Sequence, residues 1–321
     1  MDNLKSISTL KVKEKGEKNT TSYGDYVKNV MSKGILKKLI PYLMITPAII
    51  ILGMFVIYPI FYMVYLSFFE WDLMQDKAFV GFDNFIILFK DETFWQVSIN
   101  SFKYVFLTVS LSLVISILLA LYLKKDTRIN RALQSISFFP YIISLVSISF
   151  IWMWLMDSDY GLLNFFLQLF GINGIGWLDN PKYALNSLIL IAIWKSIGYN
   201  TIIIISAMKA VPSYLYEAAK LDKSSETSTF FKITLPMISP TLFFITLMNI
   251  IGSFKVFEPV NLITQGGPMN STNTFVNMIY ENGFKFYKIG YASAIGVILM
   301  LILGICTLVY FKNLDKRVHY R

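Results

Sequence analysis

The sequence predicts an all-α membrane protein with about six transmembrane helices, and three observations carry that reading. Of 321 residues, 55% are hydrophobic and 15% charged, with a mean hydropathy of +0.56; soluble domains carry about a quarter charged residues. The apolar residues fall in continuous runs of roughly 20 or more, enough to cross a hydrocarbon core of about 30 Å. A transmembrane barrel would show shorter, alternating strands. Basic residues are also concentrated in alternate loops.

The expected spans lie near 39–69, 102–123, 133–156, 183–208, 238–262 and 291–311. The first exceeds what a bilayer needs and should continue past it as a tilted helix. Pro41, Pro47 and Pro59 within it are tolerable because neighbouring helices can satisfy the freed backbone groups. The connections at 1–40, 124–131, 209–236 and 312–321 hold 21 of the 29 Lys and Arg against nine acids. Those at 70–101, 157–182 and 263–290 hold five basic residues against ten acids. The positive-inside rule then places both termini and the 209–236 connection in the cytoplasm. The formal charge of +9 needs no nucleic acid to explain it; anionic lipid head groups are the expected counterpart.

Four segments follow: a basic cytoplasmic tail (1–38), the first transmembrane helix with its outer loop (39–98), the main transmembrane domain (99–313) and a short cytoplasmic tail (314–321). About 40 mostly polar residues precede the first apolar run, which is too long for a signal-peptide core, so no cleaved signal is expected. Residues 1–25 have a disordered composition; 26–40 reads either as an interfacial helix or as a tether. Cys306 is the single cysteine and His319 the single histidine, which excludes a disulfide framework, a zinc site and a His-based triad within the chain. No metal site is expected.

The outer loops are aromatic and acidic at 70–98, suited to the membrane interface. A short apolar helix and a Gly-rich turn are expected over 160–181, and a Gly-Gly-Pro turn over 262–272. Between spans four and five, the polar segment EAAKLDKSSETSTFFKITLPMISP (217–240) reads as two short helices around a turn. Residues 214–221 contain good helix formers, with Pro212 and Ser213 as start signals. A second helix over 226–233 presents Phe230, Phe231 and Ile233, and Pro236 is expected to stop it. The Ala218–Ala219 pair reads as a flat face open to close approach by another protein.

Charges in or near the spans need partners, because an unpaired one costs about 2.5 kcal/mol or more at the bilayer centre. Lys103 is expected to snorkel from a span end. Lys195 would be satisfied by a water-filled cavity or a backbone carbonyl. Lys255 and Glu258, three apart on one helical face, either pair or, with Asn249 and Ser253, line a path for a polar solute.

The 217–240 segment resembles the coupling loop of binding-protein-dependent ABC importer permeases, whose pattern begins Glu-Ala-Ala, has Gly a few residues later and ends Ile-x-Leu-Pro. Glu217, Ala218, Ala219, Ile233, Leu235 and Pro236 fit; the Gly position holds Lys223. Either the turn there differs or Lys absorbs a cost of about 1 kcal/mol. The segments at 42–71, 80–85 (VGFDNF), 171–180 (GINGIGWLDN) and 262–272 (LITQGGPMNST) widen the likeness to the maltose and glycerol-3-phosphate permease-like group of sugar importers. The resemblance implies a non-enzymatic subunit of a bacterial plasma membrane importer, forming half of a carbohydrate pathway by alternating access. Its coupling loop (210–237), through Glu217, Ala218, Ala219, Leu221, Asp222, Lys223, Phe230, Ile233, Leu235 and Pro236, would meet a separate ATPase dimer. ATP and Mg would bind there, with no cofactor on this chain. A second, related permease and an extracytoplasmic solute-binding protein are the other implied partners. The cargo stays open among sugars, glycerol phosphate and another polar solute.

Two other classes compete. A self-sufficient secondary transporter predicts broken helices and ion-relay acids, and Glu258 is the one candidate. A membrane enzyme lacks a nucleophile–base set. No Gly-Lys pair exists, so no phosphate-binding P-loop is present.

Overall fold

The computed structural model describes residues 34–314, with side chains described for 39–312. The segment 1–33, the tail 315–321 and His319 lie outside the described residues. So does most of the stretch expected to be a tether or interfacial helix. The chain divides into two units after Phe61.

The first unit contains α1 (Gly34–Leu52) and a π-helical turn (Gly53–Ile57); α2 (Tyr58–Leu66) follows. The π turn explains how the helix tolerates Pro59. A proline ring crowds the carbonyl four residues earlier and leaves it without a donor. Here that carbonyl belongs to Phe55, inside the widened turn.

The second unit opens with a hairpin, β1 (Phe69–Glu70) against β2 (Ala78–Phe79), paired antiparallel with Phe69 opposite Phe79. Lys77 folds over it, its ammonium 4.5 Å from the Trp71 ring and 2.8 Å from the Tyr62 hydroxyl. Next come α3 (Asp83–Lys90), α4 (Glu92–Leu123), α5 (Arg128–Ile142), α6 (Leu145–Leu155), α7 (Leu162–Leu169), α8 (Ala184–Lys209) and α9 (Ser213–Leu221). After them, α10 (Glu226–Thr229), a π turn (Phe230–Thr234) and α11 (Leu235–Phe254) run as one helical element. A π turn (Val260–Thr264), α12 (Phe275–Tyr280), another π turn (Glu281–Lys285) and α13 (Ile289–Leu314) complete it.

Among the described residues, five helical stretches are long and apolar enough to cross a membrane: Leu39–Leu66, Glu92–Leu123, Ala184–Lys209, Glu226–Phe254 and Ile289–Lys312. Four features differ from the sequence expectation. Span two starts at Glu92, not 102, because its early polar residues have partners: Gln96 donates to Met269 O, and Asn100 to Asn270 O and Asn273 O. Lys103 therefore sits twelve residues into a 32-residue helix rather than at a span end. Span three is not continuous; α5 and α6 meet at 99°. Pro236 does not stop the helix, because Lys232, whose carbonyl its ring would crowd, lies in the π turn. Span five ends at Phe254 rather than 262.

The core forms along α4 and α8. Ser116 donates from its hydroxyl to Ile197 O at 3.1 Å, and Thr201 donates to the same carbonyl at 2.7 Å. Small polar side chains of this kind let membrane helices approach closely. A loop-end cluster, at the C-terminal ends of α4 and α8, joins Ala120, Leu123, Ile204, Ile205, Met208 and Ile238.

Candidate functional site

The loop between spans four and five is built on short links at both ends. Three residues, 210–212, separate α8 from α9, and the second arm is continuous with span five. On α9, Leu215 and Tyr216 pack against the loop-end cluster, as does Phe230 from the other arm. The Tyr216 and Thr234 hydroxyls lie 3.2 Å apart, tying the arms together.

The opposite face of α9 is exposed. Tyr214, Glu217, Ala218 and Leu221 follow the i, i+3, i+4, i+7 spacing of one helical face, and Leu221 is 85% exposed. The two alanines do not form a shared flat face: Ala218 is exposed while Ala219 is buried. Neighbouring helical residues point in different directions, so only Ala218 is open to close approach. Asp222 and Lys223 are exposed in the turn; Ile233, Leu235 and Pro236 are half-buried at the foot of span five.

Lys223 adopts φ +50°, so the turn that favours glycine is kept. The Ser224 amide donates to Ala219 O at 2.9 Å and the Lys223 amide to Lys220 O at 3.0 Å. That pair of bonds is a Schellman cap, which satisfies carbonyls otherwise orphaned at the end of α9.

The four candidate path residues separate. Asn249 is half-buried on α11 and donates to Asn200 Oδ1 on α8 at 3.3 Å. Asn200 is fully buried, and its own Nδ2 has no hydrogen-bond partner. Ser253 is half-buried one turn further along. Lys255 and Glu258 lie beyond the end of α11, both exposed, and form no ion pair. Their expected shared helical face is lost because the helix closes at Phe254. A cleft elsewhere is lined instead by Met153, Met156, Asp157, Asp179 and the Gly267–Pro268 turn.

Sequence reasoning missed Tyr214, Tyr216, Thr234 and Asn200. Tyr214 was within reach through its three-residue spacing from Glu217, and Asn200 as an amide inside an apolar run. The Tyr216–Thr234 contact depends on how the arms fold together.

Residues 112–320 match the model of the family described as binding-protein-dependent transport system inner membrane component. The chain belongs to that family. The permease is therefore the non-enzymatic membrane subunit of an ABC importer, which removes the self-sufficient secondary transporter and the membrane enzyme from consideration. It is 31% identical to an sn-glycerol-3-phosphate transport system permease protein of Escherichia coli, over 88% of this chain and 96% of the relative. It is 30% identical to a sulfoquinovosyl glycerol transport system permease protein of Agrobacterium fabrum, over 86% of this chain and 90% of the relative. A chain of a bacterial alginate ABC transporter, solved with an alginate pentasaccharide-bound periplasmic protein, shares the fold. Its TM-score is 0.78 at 23% identity, over 90% of this chain and 99% of that one.

Proposed function

We propose that this permease forms half of the translocation pathway for a carbohydrate or a polyol phosphate, and that α9 couples it to a separate ATPase. The observation that carries the coupling reading is the division of α9 into two faces. Leu215, Tyr216 and Ala219 hold it to the body of the protein, and Tyr214, Glu217, Ala218 and Leu221 are left exposed. A helix locked at its back and joined to spans four and five would transmit a push as a rigid body, the kind of packed-element shift by which transporters switch states. Glu217 would meet a basic group of the ATPase, where ATP and Mg would bind.

The cargo class rests on the relatives, whose names specify a glycerol phosphate and a sulfoquinovosyl glycerol. Asn249 and Ser253 remain the candidate polar groups on span five, with Lys255 and Glu258 beyond its outer end. The charge asymmetry of the loops puts α9 and both termini in the cytoplasm. The remaining partners in this reading are a second, related permease in a heterodimer and an extracytoplasmic solute-binding protein.

The test is extraction from native membranes in mild detergent, followed by mass spectrometry of what co-purifies. A second permease together with an ATPase is the expected result, and the solute carried by the accompanying binding protein identifies the cargo. A permease that purifies alone from intact, well-solubilised membranes would overturn the assembly.

A further inference from the structure

Span three breaks between α5 and α6, and the break exposes the last carbonyls of α5 to a membrane interior that offers no water. Lys195 of α8 meets them. Its ammonium donates to Pro140 O at 3.2 Å, Tyr141 O at 3.2 Å and Ile143 O at 2.7 Å. An ammonium has three donors, and all three are used on backbone. That leaves none for a solute and distinguishes Lys195 from a cargo-binding cation. The cost of a lysine in a membrane span and the cost of a bare helix end cancel each other here, helped by the negative end of the α5 dipole.

The neighbouring contacts fix the same joint. A Cβ at Gly198 would collide with the Ser137 carbonyl, so α5 and α8 touch backbone to backbone one turn away. Tyr141 stacks on Tyr199 with ring centroids 4.3 Å apart. Trp194, adjacent to Lys195, packs its ring 5.4 Å from Trp152 of α6. Successive residues of α8 thus take one limb each: Lys195 the end of α5, Trp194 the body of α6. Only the link at 210–212 separates α8 from α9.

We propose that Lys195 is a positioning residue that keeps span three broken and locks α5 to α8, so that α5 moves with the coupling loop as one body. This rests on the coupling role of α9 proposed above, although the joint itself is tested separately.

The experiment uses the full complex in nanodiscs, with spin labels at Arg131→Cys on α5 and Lys209→Cys on α8 in a Cys306→Ser background. In the otherwise unaltered protein, the label distance should be the same in the resting and ATP-trapped states. A shift beyond about 5 Å, one helical turn, would overturn the proposal. Lys195→Met should broaden that distance distribution and lower solute uptake per ATP hydrolysed by about tenfold. Lys195→Arg, which keeps the charge and the donors, should restore both. A Lys195→Met complex with unchanged distances and uptake would also overturn it. If that variant does not assemble, the label distances in the unaltered complex decide alone. Failure of the coupling reading has a different signature: Glu217→Lys would then import normally, whatever the labels report.

Discussion

The hydroxyl groups of Tyr216 and Thr234 lie 3.2 Å apart and join α9 to the π turn at the foot of span five. Thr234 is buried, and Tyr216 and Phe230 both pack against the loop-end cluster. Tyr216→Phe keeps the packing and removes the link. Its expected effect is a loss of about 1 kcal/mol in stability, the net worth of a typical hydrogen bond. Thermal unfolding of the purified complex measures that. Uptake per ATP hydrolysed should fall as well, because the two arms of the loop are then held by apolar contact alone. An unchanged melting temperature would show that the hydroxyls contribute nothing to the joint.

Glu217 stands on the exposed face of α9 with Tyr214, Ala218 and Leu221 around it. Reversing its charge changes nothing in the core, so Glu217→Lys should insert and accumulate normally. Transport should be abolished, because a like charge would now face the basic group proposed on the ATPase. The checks are membrane abundance by immunoblot and uptake of labelled solute. Normal uptake at normal abundance would remove Glu217 from the docking face.

Lys223 occupies the left-handed region at φ +50°, where a side chain costs on the order of 1 kcal/mol relative to glycine. Lys223→Gly should therefore raise stability by up to about 1 kcal/mol, offset in part by the greater freedom of glycine in the unfolded chain. The melting temperature of the complex reads this directly. A large loss of transport in the same variant would instead place Lys223 in contact with the partner.

Much of this fold was legible because long apolar runs admit few structures in a bilayer. The loop between spans four and five was legible for the opposite reason: its polar letters interrupt those runs. The break in span three was not. The residues around it, Pro140 to Leu145, are apolar apart from Ser144, and what stabilises the break is Lys195, more than fifty positions away. Nor could the end of span five be read from the run that continues through Val256 and Phe257. Lys255 and Glu258 have the spacing of a helical pair, but only a helix that continues would bring them together. Lys223 departs from the pattern in sequence, and whether the backbone still makes the glycine turn depends on how the two arms fold.

The β1–β2 hairpin supplies a pH dependence. Asp72 is partly exposed, and its carboxylate accepts from the Gln75 and Met74 amides, each at 3.0 Å. These bonds hold its pKa below the ordinary 3.8, the Gln75 amide having the larger effect. A lowered folded value means that the stabilisation is fully present above the unfolded pKa and is lost as pH falls through the folded one. Protection of the Met74 and Gln75 amides from hydrogen exchange should therefore persist at pH 3.8 and fade only below it. Asp72→Ala should show no such acid transition. Loss of protection well above 3.8 would contradict the lowered value.

Asn164 gives the sharpest test of the loop between α6 and α8. It is 1% exposed on α7. Its Oδ1 accepts from the Ile175 amide at 3.0 Å and from Trp177 Nε1 at 2.9 Å. Its Nδ2 donates to Ser158 O and Ile175 O, both at 3.0 Å. One amide therefore closes the loop at both ends, since α7 is too short to hold itself in place. Asn164→Ala leaves two donors and two acceptors without their partner in a partly buried site. At about 1–3 kcal/mol for each buried group left without a partner, the expected loss is several kcal/mol, tempered by any water the cavity admits. Asn164→Asp has nearly the same shape and should not rescue it. A carboxylate accepts from Ile175 and Trp177 but turns an oxygen toward the Ser158 and Ile175 carbonyls, replacing two hydrogen bonds with repulsion. Thermal unfolding and the emission maximum of Trp177, read in a background that lacks the other five tryptophans, report the two effects separately. An aspartate variant as stable as the parent would show that the donated bonds are dispensable and that Trp177 alone needs the acceptor.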